Sequence, residues 1–241
     1  MVGLGNLIFD MDGTLIDAMT LHASIFASIL HEEHGVPMSA SSRAYLKTAG
    51  EPLDDQFRYV LGFATSEQPL NISHLMEQFW ARVQMEPATA FADAQTGIPE
   101  LANSGYRLFL VSGCSPAIVM HKMHHVGLSR CFELMLGTDR TIPYMIKGDG
   151  HLHIICEHLA ITRSEFTNTS LLIGDAAYDM MFAAAAGLSA VGRVSNDNAL
   201  ELRWSGATFL VNDITELIQL LKHKRSGHIF RSVEELRRIL S

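Results

Sequence analysis

Two aspartates one residue apart, Asp10 and Asp12, close the apolar run Asn6-Leu7-Ile8-Phe9 and lead into Gly13-Thr14. Side chains two apart on an extended chain point the same way, so the two carboxylates are expected to face one spot, where their repulsion calls for a cation. A second pair, Asp175 and Asp179 in "IGDAAYD", straddles the end of another apolar run and the first turn of the helical stretch after it. Oxygen donors with no nearby Cys and no clear His favour Mg²⁺ over Zn²⁺. A metal held by carboxylates commonly engages a substrate phosphate, and phosphate also needs donors. Ser112 and the main-chain N–H groups of Ser112-Gly113-Cys114-Ser115, entering a helix at Pro116, can supply them. Lys147 adds a positive charge 28 residues before Asp175, the length of a helix and a strand. Lys122, the other lysine between Ser112 and Asp175, falls in an amphipathic helical pattern and is expected on the surface.

Positioning these groups requires strands. "NLIFD", "YRLFLVSG", "FELMLGTD" and "SLLIGD" are short, rich in β-branched or aromatic residues and end on small or acidic ones. Helical stretches alternate with them: "SPAIVMHKMHHVG", "GDGHLHIICEHLA" and "AAYDMMFAAAAG". "SAVGRV" and "ATFLVND" read as further strands and "ITELIQLLKHK" as a closing helix. The alternation implies an α/β fold, a Rossmann-like parallel sheet covered on both faces, whose carboxyl ends carry Asp10, Asp12, Ser112 and Asp175.

Residues 18–90 break the rhythm. Leu21, Ile25, Ile29 and Leu30, and later Ile72, Leu75, Met76, Phe79 and Val83, recur at helical spacing with no strand pattern between them. The stretch is too long for an ordinary connection and reads as an inserted helical cap above the end of the first strand. The expected division is 1–17 and 91–221 for the catalytic core, 18–90 for the cap and 222–241 for a basic tail. That tail holds six Lys or Arg against two Glu, and Ser232 with Glu235 makes a capping-box pattern for an amphipathic helix packed on the body.

Composition sets the outer limits. The 241 residues can bury one good core, alone or with a small second domain. A formal net charge of −8 argues against a general nucleic-acid binder, which needs a basic stripe to meet phosphates. No apolar run approaches a membrane span and the N-terminus lacks a secretory pattern, so the expected location is the cytoplasm. The three cysteines, Cys114, Cys131 and Cys156, are widely spaced and read as ordinary thiols.

In this order and spacing, "DMDGT" (Asp10, Asp12, Gly13, Thr14), "LVSG" (Ser112), Lys147 and "IGDAAYD" (Asp175, Asp179) resemble the four motifs of the haloacid dehalogenase superfamily, in its phosphatase and phosphomutase branch. The gap of 35 residues from Ser112 to Lys147 leaves no room for a cap there, so the helical insertion corresponds to the family's first cap type. The resemblance implies that Asp10 attacks phosphorus to form an aspartyl-phosphate. It makes Asp12 the acid for the leaving oxygen and then the base for water. It implies Mg²⁺ held by Asp10, the Asp12 carbonyl and Asp175, with Asp179 as ligand or orienter, while Ser112, Gly113 and Lys147 bind phosphoryl oxygens. The expected substrate is a small phosphorylated metabolite, a sugar phosphate or phosphoglycolate-like monoester. The alternatives are a β-phosphoglucomutase-like sugar phosphomutase and a non-catalytic binding protein on the same scaffold. Asp12 argues against dehalogenation, whose enzymes lack it. This chain departs from the common motifs at Gly113, Gly148 and Ala176.

Around these motifs stand residues with less specific signals. The resemblance places His22, ten residues after Asp12, where relatives often carry His, and Lys47, Thr48 and Gly50 in a cap turn that contacts substrate. Asp17 reads as the N-cap of the first cap helix. His121, His124, His125, His151, His153 and His158 are expected to be exposed, although His151 and His158 share a helical face. The Met-rich patches "YDMMF" and "ELMLG" read as core.

Overall fold

The computed structural model describes residues 5–62, 71–138, 147–195 and 198–222. Strand β1 (Asn6–Phe9) is followed by four helices, α1 (Met19–His34), α2 (Met38–Lys47), α3 (Leu53–Leu61) and α4 (Ile72–Met85). Helix α5 (Ala92–Asn103) leads into β2 (Arg107–Val111), α6 (Pro116–His125) and β3 (Leu134–Leu136). Helices α7 (Asp149–Leu159) and α8 (Arg163–Asn168) precede β4 (Ser170–Gly174), which passes through α9 (Ala177–Ala186) to β5 (Ser189–Arg193). Helix α10 (Ala199–Trp204), β6 (Phe209–Val211) and α11 (Ile214–Lys222) complete the described chain. The tail pattern at Ser232 and Glu235 lies outside the described residues.

The six strands form one all-parallel sheet in the order β3-β2-β1-β4-β5-β6. β1 is the pivot, with Phe9 opposite Leu110 of β2 on one side and Ile173 of β4 on the other. The chain runs outward from β1 to one edge and then returns to β4 to build the other half. In sheets of this kind ligands bind outside the carboxyl ends of the strands at that reversal, here the ends of β1 and β4. Buried strands suit near-continuous apolar sequences, and Leu7, Ile8, Phe109, Leu110, Leu171 and Ile173 are all 0% exposed.

Residues Asp17–Ala88 form a compact unit of their own, and the sheet with its helices forms the other. The helical unit has an aromatic core in which Phe26 stacks on Phe57 with ring centroids 4.5 Å apart, beside Phe79, Ile29 and Leu30. Helix α1 ends at Gly35, whose φ of +67° lets its N–H cap the His31 carbonyl. Its start differs from expectation: Ala18 is the N-cap residue and lies in the right-handed region, so the exposed Asp17 sits one residue too early to cap. The Met-rich patches are only partly core, since Met180 is fully buried while Met181 is half exposed. Among the described residues no helix is long and apolar enough to cross a membrane.

Candidate active site

Two glycines, one after β1 and one at the end of β4, leave room for carboxylates that a Cβ would strike. Past Phe9 the chain turns through Gly13, with φ +89°, and a Cβ there would lie 2.1 Å from Asp175 Oδ2. At the end of β4, a Cβ on Gly174 would lie 2.4 Å from Asp179 Oδ2. Glycine at both positions lets the backbone close on the carboxylates. Asp175 is then fixed from two directions: the Thr14 hydroxyl donates to its Oδ1 at 2.9 Å, and Asn198 Nδ2 donates to its main-chain carbonyl at 2.9 Å. Asp179, in the first turn of α9, accepts the Ala176 N–H on Oδ2 at 3.2 Å.

The result is a buried cluster in which one oxygen from each of Asp10, Asp175 and Asp179 lies within 4.8 Å of the others. Lys147 inserts its ammonium among them, bonded to Asp10 and 2.5 Å from Asp179 Oδ1. Burial pushes the Asp10 carboxyl up to about 7, with the Asp179 and Asp12 charges adding to the effect and Lys147 opposing it. Burial also raises Asp175 well above its ordinary value, helped by Asp10 and Asp179. For Lys147 burial works against the charge, yet Asp10 and Asp179 overcome it and hold the ammonium firmly protonated. Three carboxyl groups share one ammonium, and the raised Asp10 and Asp175 record how much negative charge the site would carry once they ionise. An oxygen-only, strongly anionic cluster of this kind fits a hard divalent cation such as Mg²⁺.

Asp12 has partners of its own. Its Oδ1 accepts from Lys122 Nζ at 2.7 Å and its Oδ2 from the Cys114 thiol at 3.2 Å. Asp10 and Asp12 thus hold different ammonium groups, Lys147 and Lys122, while the Asp12 charge still acts on the Asp10 carboxyl. Lys122 is not a surface residue. It is 6% exposed, on the inner face of α6 with Ile118, Val119 and Met123, and its apolar stem carries the charge inward. A lysine inside the apolar stripe Ile118-Val119-Met123 was the available signal. Cys114, read as an ordinary thiol, is 5% exposed; burial first, and then the Asp12 charge, keeps it protonated.

Ser112 follows β2 and is 2% exposed, its Oγ accepting the Cys114 N–H at 3.1 Å. The neighbouring Gly113 is exposed, and Ser115 caps α6 by accepting from the Ile118 N–H. The segment carrying Lys147 is tied down by Tyr178, whose hydroxyl donates to the Lys147 carbonyl at 3.2 Å. His151 overturns the expectation of exposed histidines: it is 0% exposed, whereas His158 is exposed, so the two do not share an environment. His151 Nδ1 accepts the Gly148 N–H at 3.2 Å and Nε2 donates to the Gly137 carbonyl at 2.9 Å. The Gly148 N–H that makes this contact would be absent had proline followed Lys147.

Arg193, at the end of β5, pairs with Asp93 through both guanidinium arms, at 2.7 and 3.0 Å, and donates to the Thr14 carbonyl at 3.0 Å. Its guanidinium lies 4.1 Å from the centroid of the Phe91 ring. Thr14 is therefore held by Arg193 while it holds Asp175. No local pattern marked this pair, because its partners are 100 residues apart.

Within the helical unit, His22 is 3% exposed, with Tyr45 Oη 3.4 Å from its Nδ1 and the Phe79 ring edge-on at 5.7 Å. It packs in that unit's aromatic core. Thr48 is buried and donates to the Ala44 carbonyl at 2.9 Å, building the turn after α2. Gly50 takes φ +85° in that turn, and Lys47 is exposed beside the Tyr59 ring.

Comparison with known proteins identifies the family. Residues 7–192, from β1 into β5, match the haloacid dehalogenase-like hydrolase family, and the chain belongs to that family. Among curated proteins it is 27% identical over 190 residues to the Probable phosphatase IndB of Dickeya dadantii, covering 77% of this chain and 79% of that one. It is 24% identical over 237 residues to a phosphoglycolate phosphatase of Pectobacterium atrosepticum, covering 94% and 96%. A solved haloacid dehalogenase-like family hydrolase from Streptococcus pneumoniae shares the fold, with a TM-score of 0.71, 18% identity and coverage of 89% and 97%.

Proposed function

We propose that this protein is a Mg²⁺-dependent phosphatase that hydrolyses a small phosphate monoester, a sugar phosphate or a phosphoglycolate-like compound, through an aspartyl-phosphate on Asp10. The observation that carries this reading is the buried cluster of Asp10, Asp175 and Asp179 around Lys147 at the sheet's reversal point. The names of the curated relatives, phosphatases and phosphoglycolate phosphatases, point to the same substrate class.

Asp10, Asp175 and the Asp12 carbonyl would hold the metal, with Asp179 beside them. When bound, Mg²⁺ supplies positive charge that offsets the phosphoryl group's negative charge and lets Asp10 approach it. Asp10 attacks phosphorus as the bond to the leaving oxygen breaks, and Asp12 places a proton on that oxygen. Asp12 then takes a proton from the water that attacks the acyl phosphate, which regenerates Asp10 and releases phosphate. Ser112 donates its hydroxyl hydrogen to a phosphoryl oxygen, joined by the Gly113 N–H and Lys147. The helical unit would choose the substrate, with Lys47 the member of its turn that presents charge to solvent.

The test is phosphate release from a panel of phosphorylated metabolites and an aryl phosphate, with Mg²⁺ and with excess chelator, for wild type and Asp10→Asn. Release that needs both Mg²⁺ and Asp10, falling by at least about 10³-fold without the carboxylate, supports the reading. No release from any substrate, with Mg²⁺ bound, overturns it.

A further inference from the structure

The structure assigns to Lys122 a positioning role in the reaction: it anchors Asp12 by one oxygen so that the other is presented to the leaving group. This rests on the phosphatase reading above, in which Asp12 handles the proton. Two contacts on Asp12 among the described residues are unequal. Lys122 Nζ lies 2.7 Å from Oδ1, a charge-assisted hydrogen bond with both side chains largely buried, at 7% and 12% exposure. Cys114 Sγ lies 3.2 Å from Oδ2 and is a weak donor. A leaving oxygen can displace the thiol far more readily than the ammonium, which makes Oδ2 the working oxygen and Oδ1 the fixed one.

The anchor is rigid at its other end. Lys122 lies in the middle of α6, between Ile118 and Met123 on the buried face, and α6 is capped by Ser115 and begins at Pro116, directly after the Ser112 loop. The helix that follows the phosphate-binding loop therefore also fixes the residue that moves the proton. In that way the two halves of the chemistry, holding the phosphoryl group and protonating its leaving oxygen, are set at one distance from each other. Lys122 touches no reacting atom in this scheme. It acts through Asp12, and no motif of the sequence carries it.

An acid is needed in proportion to how poor the leaving group is. The experiment compares wild type, Lys122→Met, Lys122→Arg and Cys114→Ala on an alkyl phosphate and on a nitrophenyl phosphate, by rapid quench of the first turnover with Mg²⁺ saturating. Circular dichroism melting of each variant gauges folding. Lys122→Met is expected to slow the alkyl phosphate by about 10–100-fold, part of the general-acid contribution, and the nitrophenyl phosphate by only several-fold. Lys122→Arg should restore most of the difference, and Cys114→Ala should cost less than Lys122→Met. Equal losses on both substrates from a folded Lys122→Met protein would overturn the proposal, as would a failure of Lys122→Arg to rescue should Lys122→Met not fold. Lack of turnover by the wild type would instead sink the phosphatase reading itself.

Discussion

The Thr14 hydroxyl donates to Asp175 Oδ1 at 2.9 Å, joining the turn after β1 to the end of β4 across 161 residues of chain. Arg193 holds the Thr14 carbonyl in turn, so three strand ends are locked to one carboxylate. The cluster is set by this lock, and its consequences can be measured.

Cation binding should stabilise the fold. With three carboxylates around one ammonium, Mg²⁺ at 100 times its dissociation constant adds about 2.7 kcal/mol, or roughly 5–10 °C in melting temperature for a chain of this size. In Asp175→Asn the metal-free protein should melt higher than wild type, because a repelling charge is gone, and the Mg²⁺ shift should shrink or vanish. Thermal melts with Mg²⁺ and with chelator check both signs.

The raised carboxyl of Asp10 gives the metal-free protein a characteristic pH dependence. A group whose folded-state value lies above its ordinary 3.8, here at about 7 because of burial, contributes stability below 3.8 that is lost as pH rises through 7. In chelator, Asp10→Asn should therefore melt progressively higher relative to wild type between pH 4 and pH 8. Melting both proteins across that range is the measurement, and a constant difference would contradict it.

Replacing Gly13 by alanine should disable the site. The new Cβ would meet Asp175 Oδ2 at 2.1 Å, and φ +89° is strained for any residue with a side chain. The expected cost is about 1–3 kcal/mol of stability together with loss of the Mg²⁺-induced shift in melting temperature.

Breaking the Arg193–Asp93 pair should act at a distance. Arg193→Leu leaves Asp93 a largely buried carboxylate without its guanidinium, still accepting the Ile214 N–H at 2.7 Å, and removes the donor to the Thr14 carbonyl. We expect a melting temperature lower by about 5–10 °C and weaker Mg²⁺ binding, read by calorimetry.

Much of the molecule was legible in its residues. The strands bearing Asp10, Ser112 and Asp175 could be recognised because buried parallel strands demand short runs of apolar side chains, and helix α4 was visible from Ile72, Leu75, Phe79 and Val83 at helical spacing. The carboxylate cluster was visible because strand ends in a parallel sheet converge wherever the chain reverses, whatever the loops between them. Periodicity, however, records only which face of an element is apolar, and a lysine stem counts as apolar along most of its length. Only the tertiary structure turned Lys122 inward to Asp12, put the Cys114 thiol beside it, buried His151 against Gly137, and paired Arg193 with Asp93. Residue types and local spacing set which chemistry the chain could carry; packing between distant segments decided which oxygen each donor holds, because hydrogen bonds and burial are properties of neighbours in space.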